Sequence, residues 1–247
     1  MSPPVFYVPS DHLRDHGVIA VAGSEGRHAA TVRRLRRGEP VVLTDGQGEL
    51  VEGVVASTGQ ETIGVDVRRR ITCPAPQPRL TVVQAVPKGD RGELSVELMT
   101  EVGVDVIVPW QAAHCVVHWD AGRADKALAR WRSTSREAAK QSRRMWWPVV
   151  EPVATTAGVV DRLRACQLAV VLDAAGNHAL AELPTPAAGD VLLVVGPEGG
   201  LTPEEVDAFG SAGATLARVG PTVLRASTAG AVAAAVLSAS SSRWSTR

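Results

Sequence analysis

The chain has 247 residues, 45% of them hydrophobic, and its 26 basic and 26 acidic side chains cancel to zero net charge. That is enough for one large domain or two smaller ones with a real core. Three cysteines far apart, with no C-x-x-C or zinc spacing, argue against a disulfide scaffold and for a reduced, cytoplasmic protein. No apolar run reaches about 18 residues, so no membrane-spanning helix is expected. The N-terminal MSPPVFYVPSDH also lacks the basic-then-apolar form of a signal peptide.

Charge is segregated along the chain. Residues 27–37 hold five arginines and no acid, and residues 121–147 hold eight basic residues against two acids. Residues 148–247 hold six basic and nine acidic groups. Local positive charge of this kind suits contact with a polyanion, although solvated faces would read the same way.

Residues 5–71 read as all-β. Apolar runs at 5–8, 18–22, 40–45, 50–57 and 62–69 are divided by turn signals such as Asp45-Gly46. A small barrel is the natural way for so many short strands to avoid open edges. His28 to Arg37 is too charged for a core strand and is expected as a short helix across the barrel. ITCPAPQPR (71–79), with three prolines, reads as a stiff linker. Strands and helices then alternate: a strand at 79–86, a helix from Glu93 to Val102, a strand at 105–110 and a long helix from Arg123 to Trp146. LAVVLDA (168–174) and DVLLVV (190–195) are near-continuous apolar strands, typical of a parallel sheet covered on both faces. A last helix is expected from Ala226 to Ala239, with the Ser-rich stretch 238–242 fraying. This succession predicts an α/β fold.

Two C-terminal turns draw attention. Gly196-Pro197-Glu198-Gly199-Gly200 follows a strand, and Thr202, Pro203 and Glu205 then open a helix as a capping box with a preset φ. Its place at a strand's carboxyl end is where open α/β sheets bind ligands. Neither a P-loop nor a G-x-G-x-x-G fingerprint is present. Turn geometry alone would also call for these glycines. The second turn is Val219-Gly220-Pro221-Thr222-Val223-Leu224-Arg225, at the mouth of the small-residue helix AGAVAAAV. Arg225 is the only basic residue between Arg218 and Arg243.

On the long helix, Arg132, Arg136, Lys140 and Arg143 or Arg144 recur at spacings of three or four, with Glu137 and Gln141 an i, i+4 pair. So unmixed a stripe suits phosphate contact. The six histidines show no metal pattern, and no metal is expected. No nucleophile elbow or triad can be assembled.

GPEGGLTPEE and VGPTVLRASTA resemble the two cofactor-loop signatures of the RsmE family, SPOUT-class methyltransferases acting on N3 of a uridine in 16S ribosomal RNA. The resemblance extends over HAATVRRLRRGEPVVLTDGQG (28–48), PKGDRGELSVELMTEVGVDVIVP (87–109) and REAAKQSRR (136–144). It implies a PUA-like β-barrel that binds RNA (1–72) and a SPOUT α/β domain with a deep trefoil knot (77–247). It also implies S-adenosylmethionine as cofactor, a homodimer, and 16S ribosomal RNA or the small subunit as partner. By position, Leu172, Gly196, Glu198, Gly199, Val219, Gly220, Leu224 and Arg225 would lie near the cofactor, with Thr228 and Ala229 closing the pocket. Arg225, Arg144 and Glu137 are the candidate catalytic residues. RNA contact would fall to His28, Arg33, Arg34, Arg36, Arg132, Arg136, Lys140, Gln141, Arg143 and Arg144. The chain departs from the pattern at Ser227, often Glu in the family, and at Leu98 and His114, where lysine and arginine are common. The alternatives are a related knotted methyltransferase acting on another RNA or base, and a catalytically silent RNA-binding assembly protein.

Overall fold

The computed structural model describes residues 2–15, 17–119 and 121–244. The chain divides into two compact units, Met1–Ala75 with Lys140–Trp147, and Pro76–Ala139 with Pro148–Arg247.

The first unit contains β1 (Val5–Tyr7), α1 (Ser10–Leu13), β2 (Val18–Val21), α2 (Gly23–Arg27), β3 (Pro40–Thr44), β4 (Glu49–Thr58) and β5 (Ile63–Thr72). They form one sheet in the order β1-β3-β4-β5-β2, with β1 parallel to β3 and the other pairs antiparallel. The period-2 alternation sends Ile19, Val21, Ile63 and Val65 into a core with Phe6, Leu13, Leu43, Val51 and Val55. The ladder ends at β1 and β2, so among the described residues strand pairing does not close the expected barrel. The short helix expected from His28 to Arg37 is displaced. Instead, α2 runs on into a π-helical turn over His28–Val32, and Arg34, at φ +52, ends the helical path.

Two contacts fasten residues 140–147 into this unit. The Lys140 ammonium, 8% exposed, donates to both carboxylate oxygens of Glu25 at 3.0 and 3.2 Å, and Glu25 also accepts the Tyr7 amide. The turn Asp45–Gly48 receives two tryptophans. Trp147 N–H donates to Gly46 O and Gly48 N–H to Met145 O, at 2.8 and 2.9 Å. Gly46 (φ +69) and Gly48 (φ +98) leave room: a Cβ would stand 2.6 Å from the Trp147 ring and 2.7 Å from that of Trp146.

The second unit contains β6 (Arg79–Ala85), α3 (Arg91–Val102), β7 (Val106–Trp110), α4 (Ala121–Gln141), β8 (Val149–Val150), α5 (Thr156–Ala165), β9 (Leu168–Leu172), β10 (His178–Ala179), β11 (Asp190–Val195), α6 (Pro203–Ser211), β12 (Thr215–Arg218) and α7 (Ala226–Ala239); the last turn of α4 belongs to the first unit. The seven strands are all parallel, in the order β10-β12-β9-β11-β6-β7-β8. Both faces are covered, which is why the strands read as unbroken apolar runs. Leu80, Val82, Ile107, Leu193 and Val195 pack toward α3 and α7, while Val83, Val108, Val171, Leu192 and Val194 pack toward α5 and α6. The small residues of α7 permit close approach: a Cβ on Gly230 would stand 3.1 Å from Met99 Sδ of α3.

Two further expectations are corrected, and one stretch gains elements. The long helix stops at Gln141 rather than Trp146, because Arg143 takes a left-handed φ of +58 and the chain then turns toward residues 45–48. The Ser-rich tail does not fray over 238–242. Ser238 is fully buried, and beyond it the Arg243 guanidinium, 4% exposed, grips Asp105 with N–O distances of 2.7 and 3.2 Å. Between residues 149 and 165 the structure adds β8 and α5, which the sequence pattern did not show; Thr155 caps α5 by accepting from Gly158 N.

Candidate active site

In the second unit β12, β9 and β11 are parallel neighbours, so their carboxyl ends, Arg218, Leu172 and Val195, open on one edge of the sheet. Two bends leave that edge. The first, Gly196 to Gly200, is held by its neighbours. Gly200 (φ +75) donates to Pro197 O at 3.0 Å, and α6 begins at Thr202 with the expected capping box and Pro203 in the first turn. Glu205 is 4% exposed. One carboxylate oxygen accepts from Thr202 N at 3.0 Å and the other from Ala113 N at 2.9 Å. His114 Nδ1 lies 3.2 Å from both Gly199 O and Gly200 O. Residues 113–114 therefore brace the bend from behind. The histidine that departs from the family pattern is one of the two braces.

The second bend is unlike the first. Among the described residues, no amide or carbonyl from Gly220 to Leu224 makes a backbone–backbone hydrogen bond. Arg225 follows as the N-cap of α7, its carbonyl accepting from Thr228 N and Ala229 N at 2.9 Å. Its guanidinium is exposed and has no hydrogen bond or ion pair among the described residues. Gly220 to Val223 are exposed, so the backbone groups of this bend are open to water or to a ligand.

The two bends wall a cleft of about 530 Å³, within the size range of small-molecule and cofactor sites. Of the residues expected near a cofactor, Leu172, Gly196, Glu198, Val219, Gly220, Leu224, Arg225 and Ala229 line it. Gly199 and Thr228 do not. Gly199 backs onto His114, where a Cβ would come within 3.0 Å of His114 Cβ, and the Thr228 hydroxyl donates to Arg225 O. Sequence reasoning missed Arg91, Asp173 and Arg218, which also line the cleft. Arg91 Nη1 pairs with Glu198 Oε1 at 3.7 Å, and Arg218 donates to Gly176 O at 3.0 Å. The signals were there: Arg91 stands in the stretch 87–109 that carries part of the family resemblance, and Asp173 directly follows an apolar strand.

The lining suits S-adenosylmethionine. The second bend leaves backbone donors and acceptors available to the edge of a purine, and Leu172, Leu201, Leu224 and Ala229 line the cleft as apolar cover for its faces. Asp173, with Oδ1 accepting from Ala175 N at 2.7 Å, offers its other oxygen to a hydroxyl or ammonium.

The basic residues fall in both units. In the first, Arg33, Arg34 and Arg36 are exposed beyond the π-helical turn, and His28 packs edge-on to Phe6 with ring centroids 6.0 Å apart. Gln141 is exposed; Arg143 donates to Pro3 O at 2.9 Å and Arg144 Nε to Trp146 O at 2.8 Å. In the second, Arg132, Arg136 and Glu137 are exposed on α4, with Arg132 Nε donating to Val150 O at 3.1 Å. Lys140 is a correction: buried and paired with Glu25, it is not part of the exposed stripe. Of the candidate catalytic residues, Arg225 lines the cleft, Glu137 does not, and Arg144 belongs to the first unit. Among the described residues no group of three His, Cys, Asp or Glu side chains is placed to hold a metal, and no helix is long and apolar enough to cross a membrane.

Residues 74–238 match the model of an RNA methyltransferase domain, and residues 21–66 that of an RNA methyltransferase PUA domain. The chain is 47% identical over 245 residues to the ribosomal RNA small subunit methyltransferase E of Mycobacterium bovis, covering 97% of this chain and 93% of that protein. It is 27% identical over 225 residues to the enzyme of the same name from Bacillus subtilis, covering 88% of each. The crystal structure of the Neisseria gonorrhoeae ribosomal RNA small subunit methyltransferase E, bound to S-adenosyl methionine, matches with a TM-score of 0.85 at 26% identity, over 96% of this chain and 98% of that one. With the sheet, the two bends and their cleft, these matches place the chain in the ribosomal RNA small subunit methyltransferase E family.

Proposed function

We propose that this protein transfers the methyl group of S-adenosylmethionine to N3 of a uridine in 16S ribosomal RNA. The observation that carries this reading is the unbonded bend from Gly220 to Leu224 on the wall of a cofactor-sized cleft. When bound, the cofactor supplies a methyl group on a sulfonium, whose departing thioether keeps the bonding pair. The second bend binds the adenine edge, Leu172, Leu224 and Ala229 cover the ring, and Asp173 takes a hydroxyl or ammonium. Uridine N3 carries a proton that must leave before or during transfer. Glu198, in the cleft wall, accepts it. Arg225 stabilises the negative charge that develops on the uracil. Alignment of the two reactants supplies much of the acceleration, about 7–11 kcal/mol for well-oriented pairs.

The wider reading follows the family. Residues 1–72 form the RNA-binding module, and their exposed arginines grip phosphates. Residues 77–247 form the transferase module, with the chain knotted around the second bend. Support for the knot is that α7 follows β12 near one side of the sheet yet packs on α3, β6 and β11. The enzyme acts as a homodimer in the cytoplasm; Val232, 39% exposed on α7, suits a dimer face. Sedimentation shows whether a dimer forms.

The test is calorimetric titration with S-adenosylmethionine together with methylation of small-subunit particles, for the wild type and Arg225→Ala. The wild type binds and methylates, and the variant loses about 100- to 1,000-fold in kcat. A variant that binds cofactor normally and methylates at the wild-type rate overturns the role of Arg225. A wild type that binds no cofactor at millimolar concentration favours the silent assembly protein.

A further inference from the structure

The Arg91–Glu198 pair in the wall of the cofactor cleft also borders a second space. This hollow of about 720 Å³ is bordered by Lys88, Gly89, Asp90, Arg91, Leu94, Val116 and Glu198. The two hollows share Arg91 and Glu198 and no other residue. Part of its wall is apolar and open, with Leu94 44% and Val116 67% exposed. Neither side chain belongs to a core cluster or to the cofactor cleft.

In-line transfer from a sulfonium requires the acceptor to sit in a space continuous with the cofactor's, with the methyl group at the junction. We infer that this second hollow is the pocket for the target base, a uracil turned out of the RNA, and that the Lys88, Arg91 and Glu198 side chains select it. The inference rests on the methyltransferase reading above. The reacting edge of uracil presents O4, N3–H and O2: acceptor, donor, acceptor. Lys88 and Arg91 supply only donors, and the Glu198 carboxylate supplies only acceptors. Cytosine presents an amino group and an unprotonated N3 on the same edge, so cations would face a donor and the carboxylate a lone pair. Leu94 and Val116 give a planar base an apolar surface to lie against. On transfer the N3–H proton passes to Glu198, the N3–C bond forms, and the C–S bond breaks with its pair returning to sulfur. Arg91, released from Glu198 as that carboxylate is neutralised, stays beside the ring and shares with Arg225 the negative charge that develops before the N3–C bond is complete. Turning the base out costs a few kcal/mol, which contacts in such a pocket offset.

Two measurements test this. In the first, leucine and valine methyl spectra of the full chain, saturated with S-adenosylhomocysteine, are recorded with uridine or cytidine 5′-monophosphate. Uridine monophosphate shifts the Leu94 and Val116 methyls and cytidine monophosphate does not; no shift, or equal shifts, overturns the inference. In the second, Leu94→Glu and Val116→Glu, both at exposed positions, are compared with Val149→Glu on β8, which borders neither hollow. The first two keep cofactor affinity within about twofold and lose about tenfold or more in kcat/KM for small-subunit RNA, because a displaced base loses alignment. The Val149 variant is unchanged. An inactive wild type would refute the methyltransferase reading itself. An active wild type with equally active Leu94 and Val116 variants would refute only the base pocket.

Discussion

Replacing Glu205 with alanine removes the brace that joins α6, the first bend and residues 113–114. The carboxylate is 4% exposed and accepts two amides, Thr202 N at 3.0 Å and Ala113 N at 2.9 Å. Hydrogen bonds to a charged group contribute about 1.5–3 kcal/mol each, and a buried amide left without a partner costs about 1–3 kcal/mol. Water can reach part of the Thr202 end, so the full sum does not apply. A loss of about 3 kcal/mol is expected. Glu205→Gln keeps one carbonyl acceptor and loses about 1–2 kcal/mol. Thr202→Ala removes only the cap to Glu205 N, worth about 1 kcal/mol. Urea unfolding read by tryptophan fluorescence follows this region, because the buried Trp110 packs on Phe209 of α6 with ring centroids 5.4 Å apart. The bend that Glu205 braces lines the cofactor cleft, so cofactor affinity falls in the same order as stability. A Glu205→Ala protein that loses less than about 1 kcal/mol, or less than Thr202→Ala, would refute the bracing role.

Arg243→Ala takes the guanidinium from the largely buried Asp105 carboxylate, which keeps the Leu80 amide as a donor, and costs about 3 kcal/mol, measured by the same unfolding assay. Gly46→Ala is destabilising by at least about 1–2 kcal/mol from the left-handed backbone alone, and the Trp147 ring must also shift; alanine at wild-type stability contradicts the packing of that turn. Burial pushes the Cys115 thiol above its ordinary value of 9.0. It therefore stays protonated, and alkylation of the folded protein at pH 8 leaves Cys115 unmodified, as peptide mass mapping shows. Because the folded value is the raised one, this group's contribution to stability is complete below pH 9.0 and declines as pH rises through the folded value.

What the sequence made legible was local. The capping box at Thr202–Glu205, the last helix from Ala226 to Ala239 and the buried parallel strands each follow from a short pattern of residue types, and the structure holds them where those patterns put them. What it hid was long-range pairing. Lys140 fits a basic stripe by spacing, yet its partner Glu25 lies 115 positions away and turns it from a surface cation into a buried one. Arg243 sits in a run of serines that reads as a loose end, and only Asp105, 138 positions earlier, makes it an anchor. The end of α4 depended on a left-handed arginine, a conformation that residue type does not announce. In the cleft, the glycine-proline bends were visible as motifs, and most of the residues carried over from them line it. Arg91 and Asp173 were passed over although each stands beside a pattern, Arg91 at the start of α3 and Asp173 just after β9, because neither position points to a cleft until the parallel strands align their carboxyl ends.

The most direct measurement is nucleoside mass spectrometry of small-subunit RNA after incubation with the wild-type protein and S-adenosylmethionine carrying a labelled methyl group. Label is predicted in 3-methyluridine alone and absent when the cofactor is omitted. Label in any other nucleoside, or none with the cofactor bound, would contradict it.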